Sequence, residues 1–246
     1  MKVKTILVSQ PEPSTEKSPY FDLASKYKLK IDFRPFIKVE AVAAKDFRKQ
    51  KISILEHTAV ILTSRNAVDH FFRMCTEMRV TVPDSMKYFC ISEASAYYLQ
   101  KYVTYRKRKI FFGSQTFSDL MDIIKKHKNE KFLLPVSDIH KQDMITMLNA
   151  ANIRYSKGIF YKTVASDLSD LKDVNYDMLV FFSPSGIKSL LENFPDFRQN
   201  GTRIAAFGPT TSQAVKDAGL RLDVHAPAPG TPSMTMAIEQ YIKKEK

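Results

Sequence analysis

A set of hydroxyl side chains stands where short apolar runs end: Ser9, Thr63, Ser64, Ser92, Ser137, Ser183, Ser185, Thr210 and Thr211. A small hydroxyl between a strand and a helix caps a free helical N–H, and capping alone explains any one of these residues. As a group they imply more. Several helix N-termini at the ends of parallel strands make a cradle for carboxylates or phosphates, because exposed N–H groups and the helix dipole both favour negative charge. The sequences ILTSRNAVDHFF (61–72) and VFFSPSGIKSLL (180–191) spell this arrangement twice: apolar strand, serine, tight loop, amphipathic helix.

Other chemistries find little footing. No GxSxG elbow is present, and neither Cys75 nor Cys90 has a histidine at a spacing that supports a nucleophile–base pair. The five histidines form no HxH or HExxH pattern, so a metal site is not expected. There is no GxGxxG or Walker fingerprint either. An enzyme with this inventory works by holding a reactive ligand in shape rather than by covalent catalysis.

The net charge of +12 points to polyanionic partners: nucleic acid, anionic lipid, or a small molecule with several carboxylates or phosphates. The densest basic run, Tyr105-Arg106-Lys107-Arg108-Lys109, reads as a solvated loop or strand edge, and no RNP or zinc-finger spacing supports nucleic-acid binding. No apolar run approaches the ~20 residues that span a bilayer. The opening MKVKTILVSQPEP turns polar too soon for a signal peptide, and two cysteines suit a reducing compartment, so a cytoplasmic protein is expected.

The elements that must position these groups are legible. Lys4–Ser9, Ala59–Ser64, Tyr88–Ser92, Lys131–Ser137, Met178–Ser183 and Arg203–Gly208 are near-continuously apolar, as strands buried on both faces of a parallel sheet are. Helical stripes follow at Ala67, Val68, Phe71, Phe72 and Cys75, at Ile187, Leu190, Leu191 and Phe194 behind Pro184, and at Ala214, Val215 and Ala218. Gly219 is placed to end the third of these as a left-handed cap. Thr231-Pro232 is read as opening a last helix that turns Met234, Ala237, Ile238, Tyr241 and Ile242 inward.

Lys30–Val42 and Tyr155–Ala165 break the pattern, being extended and leading into no capped helix. The expected fold is α/β, with two doubly wound parallel-sheet lobes joined by these crossings (near 30–42 and 155–168), paired as a two-stranded β-ladder. One lobe is discontinuous, 1–34 plus 170–246, and the other is inserted, 37–165.

The ordered motifs resemble the uroporphyrinogen-III synthase family. They are Phe181-Phe182-Ser183-Pro184-Ser185-Gly186, Ala206-Phe207-Gly208-Pro209-Thr210-Thr211, Ala218-Gly219-Leu220, and Ala226-Pro227 through Thr231-Pro232. In the first half stand Leu62-Thr63-Ser64-Arg65-Asn66-Ala67-Val68, Phe132-Leu133-Leu134-Pro135 with Lys141, and Phe160-Tyr161-Lys162-Thr163. The resemblance implies an active site in a cleft between lobes. It implies closure of the linear tetrapyrrole hydroxymethylbilane to uroporphyrinogen III, with inversion of ring D through a spiro intermediate and loss of water. No metal or organic cofactor is implied. The small-molecule tetrapyrrole would be the partner of a monomer, with transient contact to hydroxymethylbilane synthase, and neither nucleic acid nor membrane is expected.

By the same resemblance Tyr161 stands nearest the chemistry, as donor to the departing hydroxyl. Thr63, Ser64, Ser92, Ser95, Ser183, Ser185, Gly208, Thr210 and Thr211 would line the substrate site, and Arg65 and Lys141 would meet its acetate or propionate arms. The chain departs from the family where Cys90-Ile91-Ser92-Glu93-Ala94-Ser95 replaces Val-Gly and a threonine, and where Val136-Ser137-Asp138 replaces a small or glycine loop. Those departures favour the alternative, a non-catalytic tetrapyrrole- or polyanion-binding protein of the same fold.

Overall fold

The structure is a computed structural model that describes residues 2–140, 142–171 and 175–244. In chain order the elements are β1 (Thr5–Val8), α1 (Pro19–Tyr27), β2 (Lys30–Phe33), β3 (Ile37–Ala41), α2 (Ala44–Lys49), β4 (Ala59–Leu62), α3 (Arg65–Glu77), β5 (Lys87–Cys90), α4 (Glu93–Tyr98) and β6 (Ile110–Phe112). There follow α5 (Phe117–Lys126), β7 (Phe132–Ser137), α6 (Gln142–Ala150), β8 (Tyr155–Ala165), β9 (Met178–Phe181), α7 (Pro184–Asn193), β10 (Arg203–Phe207), α8 (Pro209–Asp217), β11 (Val224–Ala226) and α9 (Met234–Lys244). The chain divides into two compact units, Met1–Lys38 with Val164–Lys246, and Val39–Thr163.

The discontinuous unit is built on a five-stranded sheet in the order β11-β10-β9-β1-β2, with every pair parallel. Alternate side chains enter opposite cores. Ile6, Val8, Met178, Val180 and Ala205 pack with Leu23 of α1 and Ala237 and Ile238 of α9. Leu7, Leu179, Phe181, Ile204 and Ala206 pack with Ile187 and Leu190 of α7 and Val215 of α8. Both faces of the sheet are therefore covered, which is why its inner strands β1 and β9 carry no polar alternation, while edge strand β2 (Lys30-Ile31-Asp32-Phe33) does.

The continuous unit repeats the design on the order β3-β8-β7-β4-β5-β6. One core joins Val60, Leu62, Leu133 and Phe160 to Ala67, Val68, Phe71 and Met74 of α3. The other joins Ala59, Ile61, Phe132 and Leu134 to Leu120, Met121 and Ile124 of α5 and to Leu148 of α6. At the sheet edge β3 lies beside β8. The flanking bonds from Val42 N–H to the Phe160 carbonyl (3.1 Å) and from Ser166 N–H to the Phe36 carbonyl (2.9 Å) make that pair antiparallel.

Two segments differ from their sequence reading. Lys30–Val42 is not one extended crossing. It breaks at Arg34-Pro35-Phe36, where proline has no N–H for a ladder; β2 belongs to the first sheet and β3 to the second. Thr231-Pro232 does not open the last helix. Thr231 closes a tight turn through paired backbone bonds with Ala228 (3.1 and 2.9 Å), and Ser233 caps α9 by accepting the Met236 N–H at 3.3 Å. Gly219 ends α8 with φ +70, and the Leu220 N–H reaches the Val215 carbonyl at 3.1 Å in a Schellman motif. The basic run 105–109 is a loop and turn leading into edge strand β6.

Candidate functional site

In an open parallel sheet the ligand crevice lies beyond the strand carboxyl ends, where the winding reverses. That reversal falls between β1 and β9 in one unit and between β4 and β7 in the other. The residues just beyond these strands are Ser9 and Ser183, and Thr63, Ser64 and Asp138, so four of the hydroxyls singled out by type stand where the topology opens, while Ser92, Thr210 and Thr211 follow the neighbouring strands β5 and β10.

In the unit containing β4, the Ser64 hydroxyl caps α3 by accepting the Ala67 N–H at 3.1 Å. Arg65 follows at the first helical position, exposed, with its guanidinium 5.2 Å from the centre of the Tyr98 ring. Tyr161 projects from β8 and is 8% exposed. Burial pushes its phenol above the usual value, and the Ser64 hydroxyl beside it pulls part of the way back. The phenol thus stays protonated at neutral pH and can act as a donor. Its ring stacks on His70 of α3, with centroids 4.9 Å apart and planes 19° from parallel.

Ser92 caps α4 through the Ser95 N–H at 3.4 Å, and the two hydroxyls lie 3.2 Å apart. Ser92 has φ −149 and neither it nor Ile91 adopts positive φ, so the backbone at the family's glycine position needs no glycine for its conformation. Glu93 is exposed in the first turn of α4, where a carboxylate suits the helix dipole. The Asp138 carboxylate is occupied by the Ser137 hydroxyl (2.8 Å) and the Thr163 N–H (2.9 Å). Both acids thus have structural work, and neither departure requires the site to be defective.

In the other unit, Ser183 caps α7 through the Gly186 N–H at 3.3 Å, with Pro184 at the first helical position and Ser185 half-buried at the second. A Cβ at Gly186 would lie 3.8 Å from the hydroxyls of both Ser9 and Ser183, which places the ends of β1 and β9 around one point. Gly208 precedes α8 with φ +87, and no side chain caps that helix. Thr210 is exposed at the mouth of α8, whereas Thr211 is 1% exposed. Lys141 lies outside the described residues.

In the unit containing β4, His70, Arg73, Asp69 and Tyr98 stand around Tyr161 and Arg65 and escaped the sequence reading. For His70, Arg73 and Asp69 the signal was their place as polar residues flanking the apolar stripe of α3; Tyr98 lies on α4. Cys75 and Cys90 are buried, and burial pushes both thiols up to about 12, which makes them inert at neutral pH. Among the described residues no three His, Cys, Asp or Glu side chains gather to hold a metal ion, and no helix is long and apolar enough to cross a membrane. Two cavities of about 610 Å³ open at strand starts, one beside Tyr88 and Ile110, the other beside Tyr176 and Thr202. The second lies at the end of its sheet opposite the crevice, whereas the first runs along α3 and is also lined by Asp69 and Arg73.

Two doubly wound units, each with a capped helix at its winding reversal, define an α/β protein of two parallel-sheet units. Comparison with known proteins narrows the class. The family model described as Uroporphyrinogen-III synthase HemD matches residues 20–236. The chain belongs to the uroporphyrinogen-III synthase family. A curated uroporphyrinogen-III synthase of Saccharomyces cerevisiae is 28% identical over 137 residues, 50% of each chain, so the chain spans about half the length of that relative in the match. The same fold is found in uroporphyrinogen-III synthetase from Helicobacter pylori (TM-score 0.61, 16% identity, 98% of this chain and 99% of that one). It is found again in a mutant uroporphyrinogen III synthase from the extremely thermophilic bacterium Thermus thermophilus (TM-score 0.53, 13% identity, 98% and 99%).

Proposed function

We propose that this chain is a uroporphyrinogen-III synthase, a hydro-lyase that closes hydroxymethylbilane to uroporphyrinogen III with inversion of ring D. The family match across residues 20–236 carries the reading. Supporting it is a protonated, buried phenol on β8, opposite the last residue of β7 and beside a capped helix N-terminus.

In this reading Tyr161 donates to the hydroxyl that leaves as water. In the discontinuous unit the N–H groups at the mouth of α8, with Thr210, Ser183, Ser185 and Gly208, are assigned to substrate carboxylates, and in the continuous unit Thr63, Ser64, Arg65, Ser92 and Ser95 are assigned the same role. The net charge of +12 draws the polyanion in. Once water has left, the reactive cation is kept to one outcome by shape and by exclusion of solvent, which a cradle of fixed backbone donors supplies without a covalent intermediate. Thr211, buried, supports the α8 turn. The same reading has the protein acting in the cytoplasm as a monomer and taking its unstable substrate in transient contact with hydroxymethylbilane synthase.

The test is to generate hydroxymethylbilane in situ, add the protein, oxidise the products and separate the uroporphyrin isomers. Excess isomer III over the spontaneous isomer I supports the reading; isomer I alone from folded protein refutes it.

A further inference from the structure

Beside Tyr161 lies a chain of contacts that the strand-end pattern does not account for. The Arg73 guanidinium is engaged on every side. One terminal nitrogen donates to the carbonyls of Val42 (2.9 Å) and Phe160 (3.1 Å), the other meets Glu77 at 2.5 Å, and Nε donates to Nδ1 of His70 at 3.2 Å. A planar fork held at several points cannot swivel without breaking them together. Since Nδ1 of His70 accepts, the imidazole is neutral with its proton on Nε2. That ring lies against the Tyr161 phenol, centroids 4.9 Å apart and 19° from parallel, a geometry close to offset stacking. Phe160 immediately precedes Tyr161, so one guanidinium fixes both the backbone that carries the phenol and the ring that covers its face.

We propose that His70 and Arg73 are positioning residues for Tyr161: Arg73, anchored on the Val42 and Phe160 carbonyls, holds the His70 imidazole, and that ring sets the plane of the phenol. The inference rests on the reading of Tyr161 as the donor to the departing hydroxyl. A donor of this kind is only as good as its placement, and displacement by ~1 Å costs on the order of 10²-fold in rate. Stacking also keeps water from one face of the phenol.

Three variants test this, each checked for folding by circular dichroism and thermal unfolding. His70→Ala is expected to lower kcat for isomer III by about tenfold or more with KM changed less than about twofold, because placement and not substrate affinity is lost. His70→Phe, which keeps a flat ring over the phenol but loses the bond from Arg73, is expected to fall between wild type and His70→Ala, as Arg73→Lys should. Wild-type kcat in His70→Ala, a rise in KM alone, or His70→Phe as slow as His70→Ala would each overturn the proposal. If His70→Ala fails to fold, Arg73→Lys carries the test. It removes the Nε donor and should lower kcat in the same pattern, and unchanged kcat overturns the proposal.

A second readout needs no turnover. The chain has 11 tyrosines and no tryptophan, so tyrosinate absorbance can be followed without indole interference. The difference between wild-type protein and Tyr161→Phe isolates the Tyr161 phenol. Exposed on one face in the His70→Ala background, that phenol is expected to ionise at lower pH, nearer its ordinary value. An unmoved titration overturns the positioning role. A shifted titration in a protein that makes no isomer III sinks the enzymatic reading and leaves the placement of Tyr161 by His70 standing.

Discussion

Asp138 and Tyr161 are tied through the backbone: the Asp138 N–H donates to the Tyr161 carbonyl at 3.2 Å. The Asp138 carboxylate then accepts the N–H of Thr163 at 2.9 Å, two residues further along β8. These bonds sit where the register between β7 and β8 shifts, between Val136 and Ser137. A shift of this kind re-aims a side chain, and Asp138 pins the strand so that Tyr161 emerges at one place.

Asp138→Ala is therefore expected to destabilise the fold by about 1 kcal/mol, an exposed setting discounting the charged hydrogen bonds. Burial raises this carboxyl, but the Thr163 N–H, the Ser137 hydroxyl, the Ile139 backbone and the Lys162 charge more than offset it and hold it below the usual range. A depressed folded value means the contribution is complete above the unfolded carboxyl's ~3.9 and is lost as pH falls through the lower folded value. Urea titrations of wild type and variant should differ at pH 7 and converge in acid. A difference that persists unchanged below that range would assign the loss to packing.

Tyr161→Phe keeps the stacked ring and removes only the hydroxyl. Its expected effect is a fall in kcat of about 10²-fold or more with the fold intact, the usual worth of a positioned proton donor. Single-turnover rates of isomer III formation would measure it. An unchanged rate would remove Tyr161 from the chemistry and return it to the status of a core aromatic.

Thr210 and Thr211 are adjacent in sequence and opposite in exposure. Thr210→Ala should raise KM on the order of tenfold, the worth of one hydrogen bond to a charged group (~1.5 kcal/mol), and leave the unfolding midpoint in place. Thr211→Ala should do the reverse, lowering stability by roughly 1–2 kcal/mol with KM nearly unchanged. Steady-state kinetics beside denaturant melts separate the two, and identical behaviour of the pair would refute the division.

Gly208 has φ +87 with nothing within 4 Å of the position a Cβ would take. Gly208→Ala should cost about 1–3 kcal/mol from backbone strain alone, read as a lower midpoint in urea. Wild-type stability in this variant would mean the loop relaxes to negative φ, and the mouth of α8 would then be free to move.

The strands were legible because burial on both faces leaves an unbroken apolar run, and Ile6–Val8, Val60–Leu62 and Met178–Phe181 are such runs. Ser64, Ser92 and Ser183 were legible as caps because capping is local. What failed was either too short to show a pattern or decided by a partner the local motif does not name. Edge strands β6 and β11 are three residues each, too short to show a pattern. Thr231-Pro232 has the chemistry of a helix start, but the turn it closes is decided by pairing with Ala228. The contact between His70 and Tyr161 spans 91 positions and joins a helix to a strand, so no local spacing encodes it.

The proposed conversion of hydroxymethylbilane into uroporphyrinogen III is measured most directly by the isomer composition after many turnovers. Hydroxymethylbilane is formed in situ with the protein present at a small fraction of its concentration, and the oxidised uroporphyrins are separated chromatographically. Isomer III is expected in excess, at an initial rate proportional to the protein added. Isomer I alone, or isomer III that never exceeds the amount of protein, would contradict it.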